Sequence, residues 1–200
     1  MIQPISRSPS KFSVRHVPFN DDPPNATEFY TALGRVVCLW GRLENQIAFA
    51  LVSLQKFPEA EPVRKKLPRQ WNEKILLWRK LFSNVPYFAE MRTAALEFTD
   101  HTEDATSDRH LLQHSHWYGF EKDDPLTANF RSIEQAKNKD RIGLYQCPVT
   151  LPQLQQLVAH IEGLLWELWP IMTWIADLQS AHPIVTEGPP EEMVRRGQRR

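Results

Sequence analysis

The sequence predicts an all-α fold, an up-and-down four-helix bundle with a small irregular or β-hairpin insertion before the last helix. Three observations predict it. Apolar residues recur at alternating spacings of three and four over long stretches, as one face of a helix requires. Prolines and polar clusters cut those stretches into four pieces of helical length. Between the third and fourth pieces, over residues 118–149, β-prone residues take over.

Residues 1–24 are rich in Ser, Pro and Asn, close on Pro23-Pro24, and read as a flexible N-terminal arm. Asn25 and Glu28 have the N-cap and N3 spacing of a capping box. Phe29, Leu33, Val36, Trp40, Leu43, Ile47, Ala50 and Leu54 then form the seam of a long first helix, which Pro58 and Pro62 end. A basic loop follows, Arg64, Lys65, Lys66 and Arg69. The second helix is predicted over 70–82, burying Ile75, Trp78 and Leu81. Pro86 breaks the chain again, and a third seam begins with Phe88, Met91, Ala95 and Phe98. Residues 99–108 are polar and poor helix formers. The seam nevertheless resumes in phase at Ala105 and Leu112, so the helix is read as continuing.

Two β-prone pieces, 126–133 and 142–149, flank the polar run 134–141 and predict a hairpin. Thr150-Leu151-Pro152-Gln153 is a strong helix start, with a capping threonine, an early proline and glutamine at N3. The last helix carries Leu151, Leu154, Val158, Ile161, Leu165, Leu168, Met172 and Ile175, and Pro170 is expected to kink it. The chain from 181 to 200 is Pro-rich, then basic, ending Arg195-Arg196-Gly197-Gln198-Arg199-Arg200, and reads as a disordered tail. The helical domain is therefore 25–180. Its two terminal helices are the longest and most apolar and are expected to pack together.

The 200 residues hold 24 Lys and Arg against 24 Asp and Glu, so no global field recruits nucleic acid and any such binding needs a local patch. Cys38 and Cys147 lack metal-ligand spacing and read as reduced thiols. No apolar leader opens the chain. Its most apolar window, 163–176, contains Glu167 and Pro170 and falls short of the roughly 20 residues a bilayer span needs. A cytoplasmic protein with no membrane partner is expected.

Chemistry concentrates in Asp108-Arg109-His110-Leu111-Leu112-Gln113-His114-Ser115-His116-Trp117. Extending the third seam through Thr102 and Ala105 puts Arg109 on the inward face, where a guanidinium needs a partner. Glu44 is the expected one, because its neighbours on the first helix, Val37, Trp40, Ala48 and Leu51, are apolar. At ~100° per residue, Arg109 and His114 lie about 140° apart, so one helix does not easily close both on one small group. An imidazole can take the proton of a ribose 2′-hydroxyl, and an arginine can stabilise charge developing on phosphorus, with no metal.

Arg109-x4-His114, with a polar residue after the arginine, resembles the signature of the HEPN superfamily. The similarity extends to Trp40-Gly41-Arg42-Leu43-Glu44 and to the aromatic Trp117 after the motif. The resemblance covers residues 29–178. It implies a helical bundle, often a metal-independent endoribonuclease of toxin–antitoxin or phage-defence systems, with Arg109 and His114 catalytic and His110 assisting. It also implies a homodimer that builds the site, RNA as substrate, an antitoxin or regulatory protein as partner, and no cofactor. The chain departs from the pattern at His110, where asparagine is common, and at Ser115, where glycine is frequent. Asp108, Glu44 and Trp117 stand as supporting residues, and Arg64, Lys65, Lys66 and Arg69 as RNA contacts. Two other functions fit the same residues. One is a non-catalytic module of this fold binding RNA, a nucleotide or a partner protein. The other is a metal-dependent hydrolase using His110, His114 and His116, since His110 and His114 have the i, i+4 spacing of zinc ligands.

Overall fold

Along α1 (Ala26–Leu54), Phe29, Val36, Trp40, Leu43, Ile47, Ala50 and Leu54 are all buried, so the three–four spacing is a core seam. The structure, a computed structural model, describes residues 8–9, 23–121, 124, 126–135 and 142–182. Most of the N-terminal arm, residues 136–141 of the polar run and the basic tail beyond residue 182 lie outside the described residues. The helices after α1 are α2 (Trp71–Asn84), α3 (Arg92–His114) and α4 (Leu151–Ala181), with 3-10 turns at Pro58–Val63 and Pro86–Met91. The protein is thus mostly helical, with a small antiparallel sheet ahead of its last helix.

The polar stretch 99–108 is helical, and its threonines satisfy their own hydroxyls. The hydroxyls of Thr99, Thr102 and Thr106 each donate to a carbonyl one turn back, Leu96, Thr99 and Thr102, at 2.7 Å. Thr99 and Thr102 can then be buried without an unpaired hydroxyl. The helix start at Thr150 forms the expected capping box. Its Oγ1 accepts from Gln153 N–H at 3.3 Å, and its own N–H donates to Gln153 Oε1 at 2.9 Å. Asn25 differs, since no side-chain bond caps α1 there. The backbone at φ −92°, ψ 5° is not the extended conformation a capping box uses. α4 runs unbroken through Pro170.

Three strands, rather than a two-stranded hairpin, form the main sheet. β3 (Thr127–Gln135) and β4 (Ile142–Thr150) pair from Thr127↔Thr150 to Gln135↔Ile142. The additional strand, β2 (His116–Phe120), leaves α3 directly and pairs His116↔Arg131 and Trp117↔Phe130. Its register shifts before Phe120, where Gly119 takes φ 103°, the left-handed conformation a bulge asks of a glycine. A two-residue strand, β1 (Ser8–Pro9), pairs with Tyr145 and Gln146 of β4 at the opposite edge. Alternation sends Ala128, Phe130, Cys147 and Val149 inward. They pack with Phe29, Leu111, Leu151 and Leu154, so the sheet closes one end of the helices. Cys38 is exposed and Cys147 buried, and the two do not form a disulfide.

α1 and α4 are the most extensively packed helix pair, as expected. The up-and-down order of directions is not what the contacts give. Arg35 meets Glu162, and Phe49, 14 residues on, shares a cleft with Met172, so α1 and α4 run the same way. Trp40 packs on Trp71 and Glu44 pairs with Lys74, so α2 is also parallel to α1. α3 alone runs against them, with Trp71 bonded to Thr106 and Trp78 to Ala95. The physical reason is the link after α1. Residues 55–70 are long enough to return along the helix, and α2 starts level with Trp40 rather than at the far end.

Candidate functional site at the end of helix α3

Arg109 projects from α3 toward α1 and keeps 18% of its side chain exposed. Its Cζ lies 5.1 Å from the centre of the Trp40 ring, a cation–π stack. Its Nη2 is 3.8 Å from Glu44 Oε2, the expected ion pair at long range. Burial pushes the guanidinium below its ordinary pKa, and the Glu44 charge pulls it back up. Arginine remains charged throughout the useful pH range.

Glu44 has a closer partner that the sequence reading missed. Lys74 Nζ donates to Glu44 Oε1 at 2.6 Å, and Lys74 is itself buried. A signal was present, since Lys74 lies three residues after Trp71 and four before Trp78 on the inward seam of α2. One carboxylate thus serves two cations on two helices. Trp71, its ring centre 4.8 Å from that of Trp40 and inclined to it by 58°, donates its indole N–H to Thr106 Oγ1 at 3.0 Å, one turn before Arg109. The guanidinium is therefore held by a platform built from α1, α2 and α3.

Beyond it the helix turns its face outward. His110 and His114 are both exposed, with ring centres 4.4 Å apart and planes tilted by 48°. That is the i, i+4 contact their spacing requires. The structure brings the two imidazoles together, while Arg109 is directed into the platform. The helix ends at Ser115, and His114 is its last residue. Asp108 is buried beside Arg109 in sequence. Trp117 packs against Phe29, Tyr30, Phe120 and Phe130, with centroids 5.1–5.6 Å away. It anchors the sheet to α1 and is part of the second core.

The basic loop is tied down at its start. Lys65 N–H donates to Gln55 Oε1 at 2.7 Å and Arg64 Nη2 to the Phe57 carbonyl at 3.1 Å. Arg64, Lys65, Lys66 and Arg69 are exposed. The loop ends two residues after Arg69, at Trp71, and so leads to the platform beneath Arg109. Among the described residues no group of three His, Cys, Asp or Glu side chains gathers as metal ligands. The metal-binding alternative also invoked His116, whose side chain lies outside the described residues. No helix there is long and apolar enough to cross a membrane. Comparison of the chain with protein-family models, with curated proteins and with solved structures finds no match.

Proposed function

We propose that this protein is a HEPN-type RNA-directed protein that cleaves single-stranded RNA without a metal ion. The observation that carries the reading is the pair of solvent-facing imidazoles, His110 and His114, 4.4 Å apart beside a clamped guanidinium at the end of α3. An imidazole can accept a proton as a general base or donate one as a general acid. In the proposed reaction His114 takes the proton of a ribose 2′-hydroxyl. The 2′-oxygen bonds to the adjacent phosphorus as the bond to the 5′-oxygen breaks. The protonated His110 ring gives its proton to that leaving oxygen. The products are a 2′,3′-cyclic phosphate and a 5′-hydroxyl, with no net change in protons. Arg109, held by Glu44 and Trp40, acts as a positioning residue for this end of the helix. Arg64, Lys65, Lys66 and Arg69 hold the RNA backbone, and a toxin–antitoxin or phage-defence setting with a regulatory protein partner belongs to the same proposal.

With the acid and base on one helix, each chain carries its own reactive pair. In this reading the pair is complete within one chain, whether or not two copies meet as the resemblance implies. A second reading, a module that binds RNA and does not cut it, is favoured by one observation: Arg109 faces Glu44 and Trp40 rather than His114. Cleavage assays in excess chelator separate the readings. Cutting that His114→Ala removes supports the enzyme, and retention of labelled RNA without cutting supports the module.

A further inference from the structure

Away from the end of α3, a cleft of about 470 Å³ opens between α1 and α4. That is within the roughly 300–1,000 Å³ of small-molecule sites. One face of each helix lines it: Leu39, Arg42 and Gln46 from α1, and Glu162, Leu165, Trp166 and Trp169 from α4. Leu39 and Leu165 are half-buried against the main core and form its floor. Trp166 is 77% exposed and Trp169 58%, so two indoles stand largely in water at this cleft. The protein's other tryptophans are used internally. Trp40, Trp71, Trp78, Trp117 and Trp174 each pack on another ring of the chain. Among the described residues, Trp166 and Trp169 meet no ring at all.

Charge says what kind of ring would suit them. Glu162 is already engaged, its Oε1 held by Arg35 Nη2 at 2.5 Å. Arg42 is exposed, and among the described residues no carboxylate lies within ion-pair distance of it. The cleft therefore carries one uncompensated positive charge, with the neutral amide of Gln46 one turn further along α1. A guanidinium offers a planar fork of N–H donors that a carboxylate fills with two parallel bonds. Indole faces favour a flat partner ring, offset-stacked or edge-on. A cationic ring would be repelled by Arg42, and an aliphatic acid would leave the indoles without a partner. We infer that this cleft binds a small planar aromatic carboxylic acid, its ring on Trp166 and Trp169 and its carboxylate on Arg42. The lining comes from α1 and α4 alone, so the inference is independent of the RNA reading.

Titration of the full chain with 2-naphthoate tests it, followed by calorimetry and by the indole N–H signals in NMR. The expected result is saturable binding of one molecule per chain, with a Kd on the order of 0.1–1 mM for a ligand of this size. The signals that shift most should be those of Trp166 and Trp169, identified by their loss in Trp166→Phe and Trp169→Phe. Arg42→Gln should weaken 2-naphthoate at least about tenfold and leave the uncharged 2-naphthamide unaffected, with circular dichroism unchanged. Phe49→Ala, an exposed change on α1 outside this cleft, should bind 2-naphthoate as the wild type does. Wild-type protein that shows no saturable binding overturns the inference. Equal affinity for hexanoate removes the ring from it, and an Arg42→Gln protein that binds 2-naphthoate as tightly as wild type removes the carboxylate; either result overturns it. A loss on Phe49→Ala as large as that on Arg42→Gln marks general adhesion to an apolar face and overturns it too.

Discussion

Glu44 is the residue on which the α3 platform depends. It accepts from Lys74 and faces Arg109, and both cations are largely shielded from water. Removing it leaves two positive charges close together in a poorly hydrated place, whereas keeping its shape without its charge keeps only part of the bond. Glu44→Gln is expected to destabilise the fold by about 1–3 kcal/mol, the range for a charged hydrogen bond left unmade. Lys74→Met should cost less, because Arg109 still balances Glu44 and the methionine fills the same space. Urea denaturation of the two variants checks the order, and a Glu44→Gln protein as stable as wild type removes the platform from the account. At this scale the sequence was partly readable. The inward phase of Arg109 and the apolar neighbours of Glu44 pointed to their pairing. Lys74 does not stand out in the sequence, because lysines are mostly exposed and seldom buried without a partner.

At the scale of the element, the start of α4 and the join of α3 to α4 are the places where chemistry sets structure. Thr150→Ala removes the acceptor for the Gln153 N–H and should cost about 1 kcal/mol, readable as a lowered melting temperature. Across the helices, His101 Nδ1 bonds Glu167 Oε2 at 2.9 Å, and His160 Nε2 reaches the His101 carbonyl at 3.0 Å. The Glu167 hydrogen bond and charge raise the His101 pKa above 6.5 against a small opposing effect of burial, with Glu97 and Asp100 adding to the rise. A raised pKa means the folded state holds the proton more tightly than the unfolded chain. The stabilisation is therefore complete below pH ~6.5 and fades as pH climbs through the raised value. Both side chains are exposed, so the effect is a few tenths of a kcal/mol. Melting temperatures of wild type and His101→Gln should differ at acidic pH and converge above neutrality, and a constant difference would contradict the pair.

The helices were legible from their seams, and the capping box at Thr150 from four residues. β2 was not, because His116 to Phe120 follows α3 without a break and its aromatic run resembles a helix end. It becomes a strand through tertiary pairing with β3 and through the bulge at Gly119, neither of which local pattern records.

For the whole molecule, the harder feature to read was direction. A 16-residue link between α1 and α2 looks like an ordinary turn between antiparallel neighbours. The packing of Trp40 on Trp71 and the pairing of Glu44 with Lys74 show that it doubles back. The result is a parallel α1–α4 pair, α3 lying against it, and a sheet that plugs the end where α3 stops. That plug fixes the last turn of α3 at the surface and keeps His110 and His114 in water while Arg109 stays tethered below. The seam phase anticipated the burial of Arg109. The meeting of the two imidazoles follows from their spacing, yet its place beside the sheet could only come from the fold.

The central claim is that these imidazoles cleave RNA through the 2′-hydroxyl without a metal. The most direct measurement incubates the full chain with labelled single-stranded RNA in excess EDTA, beside a copy with a 2′-deoxy substitution at the cut site and beside His110→Ala and His114→Ala. The account predicts cleavage in EDTA that leaves a 2′,3′-cyclic phosphate and stops at the 2′-deoxy position. It also predicts a loss of about 10²–10⁴-fold in each folded variant. Intact RNA with folded wild-type protein, or cleavage that either histidine variant retains in full, would contradict it.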